Sequence, residues 1–259
     1  MRCGNFKTLF AALAAIGLLA AAPARAELTA KANHDHITVD FLYHGSTVGV
    51  RGIADPDADL IIKIAAADGH EVLNEKGKKV GVLWMNVGKL QFEHAPKLYE
   101  IHSTKAVSEL LPDAEADRYV VGYPALARHM AIEPLTSEQE KAKWFGEYVK
   151  FKEASNLYAT SAGKITFSQK DGKREYYINT PWPFQAPPGD YVATVYAVKN
   201  GKVVETAESK ILVEQVGGVK YLATMAKNHG SLYGLLSILA ALGAGFGVGL
   251  IFRKGGGAH

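Results

Sequence analysis

Three features of the chain predict a mainly β protein: short alternating runs with turn residues in every gap, a stretch of helical period in its middle, and one charge-free apolar run near its end. The predicted form is an antiparallel sandwich with a helical insertion, plus a C-terminal transmembrane helix. The apolar run, Gly230 to Phe252, has 23 residues and no charge. At about 1.5 Å per residue, about 20 such residues cross a hydrocarbon layer of about 30 Å.

The strands come first. Ile37-Thr38-Val39-Asp40-Phe41 alternates apolar and polar residues, the period of a half-buried strand, and Thr47 to Ile53 and Leu60 to Ala65 repeat it. His44-Gly45-Ser46, Asp55-Pro56-Asp57 and Asp68-Gly69 supply the turns, with Gly69 expected at positive φ. Val80 to Met85 and Lys89 to Glu93 are predicted to form a hairpin about Asn86-Val87-Gly88, and Leu98 to Ser103 the next strand.

The period changes at Lys105. Ala106 to Leu111 reads as one or two helical turns ended by Pro112, and Tyr123 to Met130 as a short helix begun by Pro124. Ser137 and Glu140 have capping-box spacing and open a helix to about Leu157. These segments make the insertion, about residues 106–160. Its aromatic stripe of Trp144, Phe145, Tyr148 and Phe151 suits packing on the sandwich.

Strand signals resume after Gly163. Lys164 to Gln169 and Arg174 to Asn179 flank Asp171-Gly172, while Tyr191 to Val198 and Lys202 to Ile211 flank Asn200-Gly201, so each pair predicts a type I′ hairpin. Gly189-Asp190-Tyr191, just after Pro187-Pro188, is similar to the start of the penultimate strand of immunoglobulin-like domains, where a tyrosine hydroxyl caps the corner backbone. An immunoglobulin-like sandwich is therefore expected. Two separate small sandwiches are the alternative, since nothing local fixes long-range pairing.

The ends give the topology. Arg2 and Lys7 precede an apolar stretch from Thr8 to Ala22, and Ala24-Arg25-Ala26 suits a signal peptidase, so residues 1–26 read as a signal peptide. Residues 27–216 then form a periplasmic ectodomain, 217–229 a juxtamembrane amphipathic helix, 230–252 the span and 253–259 a cytoplasmic tail. The Arg253-Lys254 pair favours the cytoplasmic side. The expected location is a bacterial inner membrane, crossed once, with the ectodomain in the periplasm.

Loss of Arg2, Lys7 and Arg25 with the signal leaves 26 of the 29 basic residues, against 26 acidic ones. That balance argues against nucleic acid as a partner. The single cysteine, Cys3, also lies in the signal, which excludes disulfides, thiolate metal ligands and thiol catalysis from the mature chain.

The chain resembles an uncharacterised family of single-pass transmembrane proteins first described in alphaproteobacteria. The resemblance rests on the cleaved signal, the strand pair Ile37 to Ile53, the Trp84-containing segment to Thr104, the helical middle, the Gly-x-Tyr strand with its Asn-Gly hairpin, and a Leu-Tyr-Gly-Leu-Leu span ending in Phe-Arg-Lys. It implies the same topology and contributes no catalytic residue.

Three histidines, His34, His36 and His44, crowd the first strands. If residues 34–36 are extended, the first two imidazoles share a side and could hold copper or zinc. His70, His94, His102 and His129 are read as dispersed. No nucleophile elbow, His-Glu-x-x-His or phosphate loop is present, and no cofactor is expected. The sequence thus reads as a noncatalytic accessory or interaction subunit of an inner-membrane complex or transporter. Its expected partners are the lipid bilayer and an integral-membrane protein or second copy. Gly243 with Gly247 and Gly245 with Gly249, each four apart, would let another helix approach closely. The alternative is a periplasmic ligand- or metal-binding module using His34, His36 and His44.

Overall fold

A computed structural model describes residues 27–79, 83–170 and 173–253. The expected signal peptide and the tail beyond residue 253 lie outside the described residues. The chain opens with β1 (Lys31–Ala32), β2 (His36–Val39), β3 (Ser46–Ala54), β4 (Asp59–Ala66), β5 (Glu71–Lys79), β6 (Leu83–Glu93) and β7 (Tyr99–Ser103). Three short helices, α1 (Val107–Leu110), α2 (Asp113–Tyr119) and α3 (Tyr123–His129), precede β8 (Ala131–Glu133) and the long α4 (Glu138–Ala154). Then come β9 (Tyr158–Ala162), β10 (Thr166–Lys170), β11 (Lys173–Trp182), β12 (Gly189–Lys199) and β13 (Lys202–Gln215). Helix α5 (Gly217–Asn228) leads into α6 (Gly230–Arg253).

The protein is mainly β. Its strands form a four-stranded sheet, β1-β3-β11-β10, a six-stranded sheet, β2-β13-β12-β4-β7-β9, and a three-stranded sheet, β5-β6-β8. Among the described residues, all pairings are antiparallel except two at the edges of the six-stranded sheet, β2 with β13 and β7 with β9. The second has a direct cause: β7 and β9 are joined through the helical insertion, and a long crossover returns the chain in parallel.

The six-stranded sheet is the middle layer. Along β11, Tyr176, Ile178, Thr180 and Trp182 are buried at every second position, the signature of one covered face. That face meets the middle sheet, where Trp182 packs edge-on to Tyr191 with ring centroids 4.9 Å apart. Helices α1 to α3 cover the other side: the Tyr99 hydroxyl donates to the Val120 carbonyl at 2.9 Å, and Tyr119 packs on Tyr196 at 5.2 Å. Strand β7 is consequently buried at every position. Both sheets and the helices contribute to a single core, in place of two small sandwiches.

Several local expectations hold. Tyr191 donates its hydroxyl to the Pro187 carbonyl, the corner cap read from the sequence. Asn200 and Gly201 both take positive φ, 52° and 73°, as a type I′ turn requires. Trp144 and Phe145 pack against the core and Tyr148 is buried, whereas Phe151 at the end of the stripe is exposed. The Asp171-Gly172 turn lies outside the described residues.

Other expectations need correction. Residues 86–88 do not turn a hairpin. Strand β6 runs straight through them, paired with the charge-rich β5, and the register steps from Glu75 opposite Gly88 to Lys76 opposite Asn86. Val87 is the extra residue of a bulge, and Gly77 across from it leaves room for its side chain. Gly69 is not at positive φ; His94 takes that conformation instead, at φ 55°. Ser137 is the N-cap of α4, but its side chain makes no capping hydrogen bond. The insertion is not wholly helical either, since β8 inside it completes the sheet of β5 and β6.

Candidate functional site

One end of the middle sheet collects what is chemically distinctive. Strands β2 and β13 run parallel and finish together, Val39 opposite Gln215, and the Val216 amide donates to the Val39 carbonyl at 3.0 Å. From this point the chain leaves through α5 towards the apolar helix. The register puts the turn after β2, the connection before β12 and the loop after β4 at the same end, because Gly189 faces Val213 and Tyr191 faces Ala66.

The first two of these connections are apolar and exposed. Phe41, Leu42 and Phe184 keep 69%, 76% and 69% of their surface in solvent, far more than large apolar side chains usually do. Tyr43 stacks on Phe184 with centroids 5.8 Å apart, and Phe41 lies against Gly218 of α5, where any Cβ would collide with its ring. The first turn of α5 thus rests on the same apolar surface. Within α5, Met225 is buried while Tyr221 and Leu222 are exposed.

Helix α6 contains one stretch, Gly230–Leu250, long and apolar enough to cross a membrane, and none of it is buried among the described residues. Among the described residues, and apart from the helix's own backbone, nothing lies within 4 Å of where a Cβ would stand on Gly243, Gly245, Gly247 or Gly249. Its glycine faces are therefore open to another helix or to lipid.

The third connection, after β4, carries a group that sequence spacing could not reveal. Asp68 stands there, His94 follows the last residue of β6, and His129 ends α3; their ligand atoms all lie within 4.8 Å of one another. His129 Nε2 is 2.6 Å from Asp68 Oδ2, and His94 Nδ1 is 3.9 Å from the same oxygen. The two imidazoles are tilted at 53° with centroids 5.5 Å apart. Pairing brings them together: Glu93 faces Ala131 across β6 and β8, so the residues next in each direction, His94 and Met130, are also neighbours. Reciprocal hydrogen bonds between Gly69 and Ala95, at 3.1 and 3.0 Å, tie the Asp68 loop to the His94 turn.

The three histidines singled out from the sequence are not brought together. The chain bends between β1 and β2 where an extended segment was expected. His34 Nδ1 consequently lies 2.7 Å from the Thr47 carbonyl of the first sheet, whereas His36 Nε2 lies 2.8 Å from Glu214 of the middle sheet. His44 is exposed in the turn before β3.

Two buried features remain. Glu100 and His102, on the inter-sheet face of β7, are 3% and 5% exposed, so their polar atoms need partners inside. His102 Nδ1 lies 2.7 Å from Ser161 Oγ and Nε2 3.3 Å from Glu100 Oε2, while Thr180 donates to that oxygen at 3.2 Å. On the helix side, a cavity of about 370 Å³ opens between β7 and α1 to α3, with Ile101, Val107, Val121 and Ala125 in its wall. Nearby, burial pushes the Lys63 ammonium below its usual range; its Nζ donates to the Tyr119 carbonyl at 2.6 Å.

A family model described as "Putative transmembrane protein (Alph_Pro_TM)" matches residues 27–254. No curated protein and no solved structure matches the chain.

Proposed function

Since the chain belongs to this transmembrane-protein family, we propose that it is a noncatalytic, membrane-anchored periplasmic protein, an accessory or interaction subunit of an inner-membrane complex or transporter. The observation that carries this reading is the bare span: no part of Gly230–Leu250 is buried among the described residues, and its paired glycines present open backbone. Helices associate in lipid through such close backbone contact. The apolar surface of Phe41, Leu42 and Phe184 supports a domain seated on the bilayer, because it lies where the chain departs for the span. The Arg253-Lys254 pair supports a cytoplasmic C-terminus. A binding module built on His34, His36 and His44 draws less support, since the first two imidazoles take partners on different sheets.

Co-purification from native membranes tests the reading. Gly243→Leu with Gly247→Leu should preserve membrane insertion and remove a specific integral-membrane partner, while Leu236→Val with Leu239→Val should retain it. The reading fails if the glycine variant keeps the same partners as the parent, or if the parent has none.

A further inference from the structure

We propose that Asp68, His94 and His129 form a binding site for a borderline divalent transition metal ion, of which zinc is the probe of choice. The donor set is two imidazoles and a carboxylate with no thiolate, which suits zinc and its first-row neighbours. In a tetrahedral zinc site, bonds of about 2.0 to 2.2 Å place ligand atoms about 3.3 Å apart. The 2.6 Å and 3.9 Å separations from Asp68 Oδ2 to His129 Nε2 and His94 Nδ1 straddle that value, so side-chain shifts of well under an ångström open a cradle for the ion.

The backbone beneath is already set. His94 and His129 flank Ala95 and Met130, which are 1% and 7% exposed, and the Asp68 loop is held to the His94 turn by the paired Gly69 and Ala95 hydrogen bonds. Only side chains therefore have to move. The ligands themselves are partly in solvent, at 47%, 61% and 32% side-chain exposure for Asp68, His94 and His129, which leaves a fourth position to water or to an incoming group. Three protein ligands with one open position is the arrangement of a zinc ion that exchanges its fourth ligand, not of one sealed for structure alone. The site stands at the end of the middle sheet from which the chain leaves for the apolar helix, so a membrane-bound partner could supply that group. The inference does not depend on the accessory role, which the glycine variants test separately.

Zinc titrated calorimetrically into the metal-stripped full chain in detergent tests the site. One equivalent should bind. His94→Asn is the informative variant, because asparagine tolerates the left-handed backbone that His94 occupies. His129→Gln likewise keeps a donor for Asp68. Each should weaken zinc binding by more than about tenfold, with the circular dichroism melt unchanged in the absence of metal. Joint replacement of His34, His36 and His44 by Ala should leave the affinity as it was. Failure of the folded parent to bind zinc would overturn the proposal, and so would one-equivalent binding that survives His94→Asn combined with His129→Gln.

Discussion

Lys152 keeps only 5% of its side chain in solvent, and its charge is answered by Glu71 Oε2 at 2.6 Å. The same oxygen accepts the Tyr148 hydroxyl at 2.9 Å, and Tyr148 in turn stacks on Phe92 with centroids 4.3 Å apart. Removing the carboxylate leaves an ammonium and a phenol buried without it, whereas removing the lysine leaves a carboxylate that still reaches water. Glu71→Ala should therefore cost about 3 kcal/mol and Lys152→Met clearly less, with the double variant recovering part of the loss. Denaturant melts of the three variants decide it; equal losses for the two single variants would mean that the pair is not buried in the way described. At this scale the sequence was partly legible. The Tyr191 corner could be read because its residues are consecutive, but the partnership of residues 71, 148 and 152 depends on where α4 lies.

Among the elements, β5 shows why charge-rich strands escape notice. Residues 71–78 of β5 alternate between partly buried and exposed positions and none is fully buried, and the segment is a strand because it pairs along one edge with β6, whose other edge carries β8. The Asn-Val-Gly of residues 86–88 resembles a turn locally, yet pairing along the full length of β6 makes more hydrogen bonds than a hairpin there would. The apolar connections at the end of the middle sheet where β2 and β13 finish give the element-scale prediction. In lipid vesicles, an environment-sensitive dye on Leu42→Cys should report an apolar setting, while the same dye on Val204→Cys should report water. Val204 lies at the far end of β13, about 35 Å away at about 3.3 Å per residue. Aqueous spectra at both positions would show that the domain stands clear of the bilayer.

For the molecule as a whole, buried tyrosines govern the alkaline limit. Burial pushes Tyr191 and Tyr196 up to about 12, and raises Tyr99, Tyr123, Tyr148, Tyr158 and Tyr176 further. The folded chain then keeps protons that the unfolded chain loses above its ordinary value of 10.0, so this stability is full below pH 10.0 and falls as pH rises through about 12. Each group contributes a slope of about 1.4 kcal/mol per pH unit within its window. Lys63 opposes them, since its depressed folded value makes stability rise with pH just below 10.5, but one lysine does not offset seven tyrosines. Thermal melts should drop steeply above pH 10.0, with the tyrosinate absorbance of these seven rings appearing only as the fold is lost; ionisation of all 12 tyrosines in the folded chain would contradict the packing.

The sequence by itself determined the charge-free span, the mainly β character, the Asn200-Gly201 hairpin and the Tyr191 corner. Each of these depends on residues within a few positions of one another, through hydrophobic period, turn conformation or local hydrogen bonding. Only the tertiary structure decided that β7 and β9 pair in parallel, that one core serves both sheets and that the helices cover the middle sheet. It alone separated His34 from His36 and brought Asp68, His94 and His129 together. Strand pairing is settled by which faces bury each other across the whole chain, and no local window contains that competition.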